Sequence, residues 1–381
     1  MPSQKKIKRM LLNLDLLKIV LAVSFVLWAL VLYFNPYYFA DLEMRYTDHM
    51  RHEYMAWLFL HVGFKVFSTP LENLSLQAPS LNPHPTWRTH PHIYPLGSIL
   101  YFIPFGVLSN LGIISDITVH KLMILSFLTG AHLAIYYFMM ELRKYNFGLF
   151  LTISVSSLFY THLIFWALNG FYDAIAILFI ILAIKYWREG SSLKSLVILT
   201  GSFFLHYRSI FYLPLWITLF AKILLQHKDD LWSQLTHLNR LSLSFLWFLS
   251  VASLNFYTIY LSFFNRSWKI PVEWQPSVIN IYSGKLDAQI LLLTLSAITF
   301  LILVKRKSYI TFFSLLLCLA YMLFTPNWMH WHNLFFFPAL LLSLDKTSVE
   351  VASFWLITII YFTTGFISPL WISQLLQTMF Q

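Results

Sequence analysis

The chain has 381 residues, 58% of them apolar, and only 11% are charged, against roughly 25% in an ordinary soluble domain. A soluble core of that length cannot hide so much apolar surface, whereas a bilayer replaces water around spans of about 20 apolar residues. In so apolar a chain the net charge of +10 reads as Lys and Arg that hold a membrane topology, and no nucleic-acid partner is expected.

The N-terminus carries Lys5, Lys6, Lys8 and Arg9, and an apolar run follows to Tyr33. No small-residue cleavage site comes next, so the pattern predicts a retained signal anchor with a cytoplasmic N-terminus. Residues 35–120 then form a long first external loop. Beyond the anchor at 17–34, apolar runs fall near 121–140, 147–166, 171–187, 194–207, 209–225, 241–263, 290–304, 308–325, 333–344 and 349–367, about eleven spans in all. A further run at 94–114 is interrupted by Pro95, Gly97, Pro104 and Gly106 and reads as a juxtamembrane or re-entrant segment.

Charge supports this topology. With the N-terminus inside, sixteen Lys and Arg fall on the cytoplasmic side and nine on the longer outer loops. Counting 94–114 as a full crossing would throw Lys305, Arg306 and Lys307 outside. No internal repeat and no soluble domain is visible, so residues 1–381 are treated as one all-α polytopic membrane unit. Cys318, the single cysteine, permits no intrachain disulfide and no Cys-based metal site.

Five constellations carry chemistry, and all map to the non-cytoplasmic side. Just after the anchor, residues 41–54 (DLEMRYTDHMRHEY) hold four acids, among them Asp41, Glu43 and Asp48, together with Arg51 and two histidines. From Asp48 onward the spacing predicts an amphipathic helix with Tyr54, Trp57, Leu58 and His61 on one face. A carboxylate held against apolar surface gains basicity, which suits a general base; a solvated polar loop would look the same. Next, residues 84–97 (HPTWRTHPHIYPLG) place three histidines before Tyr94, but their spacing is not that of a helical zinc pair, and the prolines shape a rigid loop.

Third, Asn169-Gly170-Phe171-Tyr172-Asp173 puts Asp173 at the outer start of a span, where it serves a site or caps the helix. Fourth, His206-Tyr207-Arg208 sits at the junction of two spans. A guanidinium there calls for an anionic partner, such as a phosphate, unless it snorkels to the interface. Fifth, Thr325-Pro326-Asn327-Trp328-Met329-His330-Trp331-His332 forms an outer turn whose histidines suit a sugar or phosphate, or an interfacial belt.

In this order, the five pieces resemble the GT-C superfamily of membrane glycosyltransferases. The resemblance is closest to the polyprenol-phosphate-mannose mannosyltransferases of glycosyltransferase family 87. Asp48, Tyr54, Ala56 and Gly63 look like the family's first-loop pattern, and Tyr94-Pro95-Leu96 like its tyrosine-proline element. Asn169-Gly170 with Asp173-Ala174, Arg208 ahead of Pro214, and the 325–332 turn with Pro338 complete the likeness over roughly residues 15–345. Arg208 stands where lysine is usual, Tyr94-Pro95 lacks a second proline, and Trp331 separates histidines that are often adjacent.

The resemblance implies a GT-C-like fold and a hexosyltransferase activity. A sugar, mannose foremost, would pass from a polyprenol-phosphate donor to a hydroxyl of a glycan, glycolipid or protein acceptor. Asp48 would be the catalytic base, with Asp41 and Glu43 as alternatives. Arg208, His206, His330, His332, Arg51, Tyr94 and Asp173 would bind donor phosphate or sugar. No cofactor and no protein-bound metal is called for, although metal dependence stays open, and no nucleotide-binding loop is present. A bacterial cytoplasmic membrane with the site facing outward is the expected setting. A transporter or flippase for a lipid-linked or anionic solute is the rival reading.

Overall fold

The computed structural model describes residues 4–34, 51–74, 91–92, 94–144, 149–225, 231–264, 297–305, 307–324 and 334–343. Helix accounts for 90% of these residues, with no strand among them, so the chain is all-α. In chain order the helices are α1 (Gln4–Phe34), α2 (Arg51–Val62), α3 (Leu96–Leu111), α4 (Asp116–Arg143), α5 (Leu149–Leu168) and α6 (Asp173–Arg188). They continue with α7 (Ser192–Leu205), α8 (Leu213–Leu225), α9 (Leu231–Phe264), α10 (297–305), α11 (Tyr309–Phe324) and α12 (Phe337–Ser343). Short 3-10 turns at Gly63–Phe67, Leu71–Leu74 and Tyr207–Tyr212 join some of them.

Three stretches are long and apolar enough to cross a membrane: Leu16–Phe34, Asp116–Leu142 and Tyr207–Leu225. The expected eleven spans are therefore not matched among the described residues. At about 1.5 Å per residue, the 16 residues of α6 and the 14 of α7 fall short of a bilayer's roughly 30 Å hydrocarbon core. The run at 333–344 yields only the seven-residue α12, and the run at 349–367 lies outside the described residues.

Helix α6 is the centre of the bundle. Isoleucine, leucine and alanine cover almost its whole circumference, and residues from Asp173 to Ile184 are buried on nearly every face, as expected for a helix that is apolar all round. It packs on α4, α5, α7 and α12. Helices α6 and α7 run antiparallel: Ser195 donates to the Ala183 carbonyl at 2.6 Å and Ser202 to that of Ala176 at 3.1 Å. Over residues 16–34, α1 is mostly exposed, as a lipid-facing helix would be.

The segment at 94–114 is not among the stretches long enough to cross a membrane, in keeping with a juxtamembrane helix, but it is unbroken. The structure shows one continuous helix from Leu96 to Leu111, with Pro104 inside it and Gly112 closing it in the left-handed conformation. Its two glycines do not break it. Gly97 faces the backbone of Phe204 on α7, and Gly106 faces Ala56 and Trp57 on α2, so each permits a close approach between helices.

The first-loop helix also differs from expectation. Residues 52–56 are all buried, including His52 and Glu53, while His61 is exposed. The interior face is thus carried by His52, Glu53, Met55 and Ala56 as much as by Tyr54 and Leu58. Glu53 forms a buried hydrogen bond with Nδ1 of His120, which ties α2 to the start of α4.

The two ends of the α4, α6 and α7 bundle differ in chemistry. At the end where α4 and α6 finish, Glu141, Lys144, Lys185, Arg188 and Glu189 form an ion-pair network. At the opposite end, where α4 and α6 begin and α7 finishes, imidazole, phenol, carboxylate and guanidinium gather instead.

Candidate functional site

A turn with defined hydrogen bonds places Asp173. Gly170 adopts a positive φ of 86° after α5; the Phe171 N–H donates to the Trp166 carbonyl at 3.0 Å and the Gly170 N–H to that of Ala167 at 3.2 Å. This is a Schellman closure, which requires a residue at ease in the left-handed region and turns the chain directly into α6. Tyr172 is then the N-cap and Asp173 the first helical residue, so Asp173 is not the cap the sequence allowed. Its carboxylate still lies at a helix N-terminus, where negative charge is favoured.

Arg208 reaches Asp173 from the next turn of the bundle. Helix α7 stops at His206, whose extended backbone ends the helical hydrogen bonding. The His206 Nδ1 accepts from the Arg208 backbone N–H at 3.2 Å and fixes the 3-10 turn that follows. Arg208 is only 3% exposed; its Nη1 donates to Asp173 Oδ1 at 3.2 Å, its Nη2 donates to the Tyr207 hydroxyl at 3.1 Å, and its guanidinium lies 5.1 Å from the Tyr207 ring centre. The anionic partner that a buried guanidinium demands is, in this structure, Asp173.

His206 completes the group. Its Nε2 lies 3.5 Å from Asp173 Oδ1 and 3.4 Å from Arg208 Nη1. Because Nδ1 accepts from the Arg208 backbone N–H, the neutral ring carries its proton on Nε2, on the side of the Asp173 carboxylate. Burial, followed by the charges of Arg208 and then His52, pushes the imidazole well below its ordinary range. His206 is therefore neutral at pH 7, and the Arg208–Asp173 pair cancels its own charge.

Aromatic rings enclose these charges. Tyr94 stands just before α3, its ring 5.7 Å from that of His206, 5.4 Å from Tyr172 and 6.1 Å from Tyr207. Burial, then the neighbouring Tyr94, Asp173 and Tyr207, hold the Tyr172 phenol well above its usual range, so it remains a donor. It donates to the Leu205 carbonyl at 3.3 Å and locks the start of α6 to the end of α7. Phe335 closes another side, 5.0 Å from His206, and its carbonyl accepts from Tyr212 at 2.7 Å.

Of the residues expected to form a site, the structure brings Tyr94, Asp173, His206 and Arg208 into one buried cluster. Arg51 begins α2, and its side chain lies outside the described residues, as do Asp48, His330 and His332 together with Asp41 and Glu43. Two further members lie in constellations noted in the sequence but had no assigned role. His52 stacks on Phe102 at 4.3 Å and meets Tyr172 edge-on at 5.2 Å, which places it against the cluster from α2. His92 accompanies it: with Ser98 donating to the Pro95 carbonyl at 2.7 Å, the His92 Nε2–H donates to the Ser98 hydroxyl at 3.0 Å.

Among the described residues, no three His, Cys, Asp or Glu side chains are grouped to hold a metal ion. No family model, no curated protein and no solved structure matches the chain.

Proposed function

We propose that the protein is a membrane glycosyltransferase that moves a sugar, mannose foremost, from a polyprenol-phosphate donor to an acceptor hydroxyl at the non-cytoplasmic face. The carrying observation is convergence. Tyr94, Asp173, His206 and Arg208 come from three separate motifs of the GT-C resemblance, and they meet in one buried polar cluster at one end of the helix bundle. The opposite end bears the Lys and Arg of the Glu141–Arg188 network, which fits a cytoplasmic side under the positive-inside rule. The finer architecture, about eleven spans in a GT-C-like arrangement, belongs to the same proposal.

In this reading Asp48 takes the proton of the acceptor hydroxyl as its oxygen bonds to the anomeric carbon. The bond from that carbon to the phosphate oxygen breaks, and the lipid phosphate leaves with the electron pair. General-base assistance of this kind typically contributes about 10²–10⁴-fold. The departing phosphate needs positive charge, and Arg208 is the buried cation best placed to supply it. Tyr94 and Tyr207 offer aromatic faces beside it for a sugar ring.

Polar groups at mid-helix also exist, as the rival transporter reading would require. His132, Ser24, Tyr160 and Trp28 form a hydrogen-bonded chain between α1, α4 and α5. That chain closes on itself, with His132 Nδ1 donating to the Leu128 carbonyl at 2.8 Å, so it reads as helix-to-helix fastening. The test of the enzymatic reading is the donor dependence of purified protein. Arg208→Ala should raise the apparent donor KM at least about tenfold, the worth of roughly 1.4 kcal/mol of binding; an unchanged KM would remove Arg208 from the donor site.

A further inference from the structure

We infer that Asn169 reads the sugar of the donor: its side-chain oxygen accepts a hydrogen bond from one hydroxyl of the transferred hexose. This rests on the glycosyltransferase reading and adds a residue that selects among sugars.

The reasoning begins from an acceptor without a donor. Asn169 directly follows α5 and is only 1% exposed. Its Nδ2 donates to the Phe165 carbonyl at 2.9 Å, and its backbone N–H donates to the same oxygen at 3.0 Å. A carbonyl can only accept, so the orientation of the amide is fixed and Oδ1 is turned away from that bond. No donor among the described residues reaches Oδ1. The same turn carries Phe165, Trp166 and Phe171, whose rings meet edge-on at 4.9 and 5.0 Å. A buried acceptor left bare among such groups opposes folding, and in a native protein it marks a place that water or a ligand completes.

Position and chemistry select the ligand. Asn169 belongs to the closure at Gly170 that leads directly into Asp173, and four residues span at most about 14 Å of chain. It therefore stands at the cluster's end of the bundle. A polyprenol-phosphate hexose brings two kinds of polar group there. Its phosphodiester accepts hydrogen bonds and donates none, which suits the donor-only guanidinium of Arg208. Its hydroxyls donate, and a donor is what the Asn169 oxygen requires. A phosphodiester alone would leave Oδ1 bare. A site that pairs a buried group with a substrate hydroxyl rejects an analogue lacking it far more strongly than an apolar pocket rejects a missing methylene. Asn169 thus determines specificity and takes no part in the bonds that form and break.

The experiment measures kcat/KM of the purified full chain in detergent for polyprenol-phosphate mannose and for a panel in which each sugar hydroxyl in turn is replaced by hydrogen. Native protein should disfavour at least one deoxy donor by about tenfold or more. In Asn169→Ala one such penalty should fall to about twofold or less, while the other ratios in the panel stay as they were. A merely structural residue, or one that only holds a water, would change the rate for every donor by the same factor and leave the ratios alone. Asn169→Ser, whose hydroxyl can still donate to the Phe165 carbonyl, spares the turn and decides the question should the alanine variant fail to fold. Unchanged ratios in a folded variant, or native protein indifferent to every deoxy donor, overturn the inference and leave the glycosyltransferase reading standing. Native protein that transfers from no donor overturns both.

Discussion

A Cβ added to Gly97 would stand 2.7 Å from the carbonyl carbon of Phe204 and closer still to its oxygen. Gly97 lies three residues after Tyr94 and Phe204 two residues before His206, so this backbone contact between α3 and α7 sets the spacing of two cluster members. Backbone cannot swing aside as a side chain can. Gly97→Ala should therefore cost about 1–3 kcal/mol, the usual range for overpacking, and lower the midpoint of thermal unfolding in detergent. A Cβ at Gly106 meets Trp57 N at 2.9 Å and the Ala56 Cβ at 3.0 Å, so Gly106→Ala should cost less.

The Glu53–His120 pair gives a second expectation. Glu53 is fully buried and His120 nearly so. Removing one partner from such a pair commonly costs about 3–5 kcal/mol, whereas replacing both with apolar residues is often close to neutral. His120→Leu should accordingly be markedly destabilising, and Glu53→Leu combined with His120→Leu should regain most of the loss. Equilibrium unfolding of both single variants and the double variant measures this; a double-variant loss equal to the sum of the two single losses would show that the pair is not coupled.

The state of His206 predicts how stability varies with pH. In the folded protein its proton affinity is depressed, mainly by burial and then by Arg208 and His52. Unfolded, the imidazole titrates near its ordinary value of about 6.5. Below that value the unfolded chain binds the extra proton and the folded chain does not, so stability falls as the pH drops and is fully present above it. Denaturant midpoints between pH 5 and 8 should follow this slope. His206→Asn, which can still accept from the Arg208 N–H, should flatten it.

The chain from Trp28 through Tyr160 and Ser24 to His132 fastens α1 to the bundle. Trp28 Nε1 donates to the Tyr160 hydroxyl at 2.8 Å, Tyr160 bonds to Ser24, and Ser24 lies 3.1 Å from His132 Nε2. Because His132 Nδ1 donates to the Leu128 carbonyl, the neutral ring accepts through Nε2 and the donors run in one direction. Tyr160→Phe removes the middle link. The expected loss is about 1 kcal/mol, within the range for hydrogen bonds between membrane helices. Thermal unfolding compared with Tyr136→Phe, outside the chain, would check it.

Part of this architecture was legible because a polar residue in an apolar run stands out. Arg208, His206 and Asp173 are conspicuous in that way, and the demand of a buried guanidinium for an anion was readable from sequence. That the anion is Asp173, 35 positions away, was not, since nothing in the spacing joins the two turns. His52 was hidden for the opposite reason: it is one polar residue among many in the first loop. The face of α2 was assigned by hydrophobicity, which fails where apolar residues can point to lipid and polar ones into the bundle. Interruption by Gly97, Pro104 and Gly106 suggested a broken segment, but the glycines serve helix contact and Pro104 is accommodated within one helix.

The most direct measurement is transfer of labelled sugar. Membranes containing the protein, and membranes containing Asp48→Asn, are incubated with labelled polyprenol-phosphate mannose, and label is followed from donor to acceptor. Native membranes should move label from the lipid donor into glycan, glycolipid or protein, and the variant, expressed at the same level, should lose at least about a hundredfold of that rate. Label that stays in the donor with native protein, or transfer that continues undiminished in Asp48→Asn, would contradict the assignment.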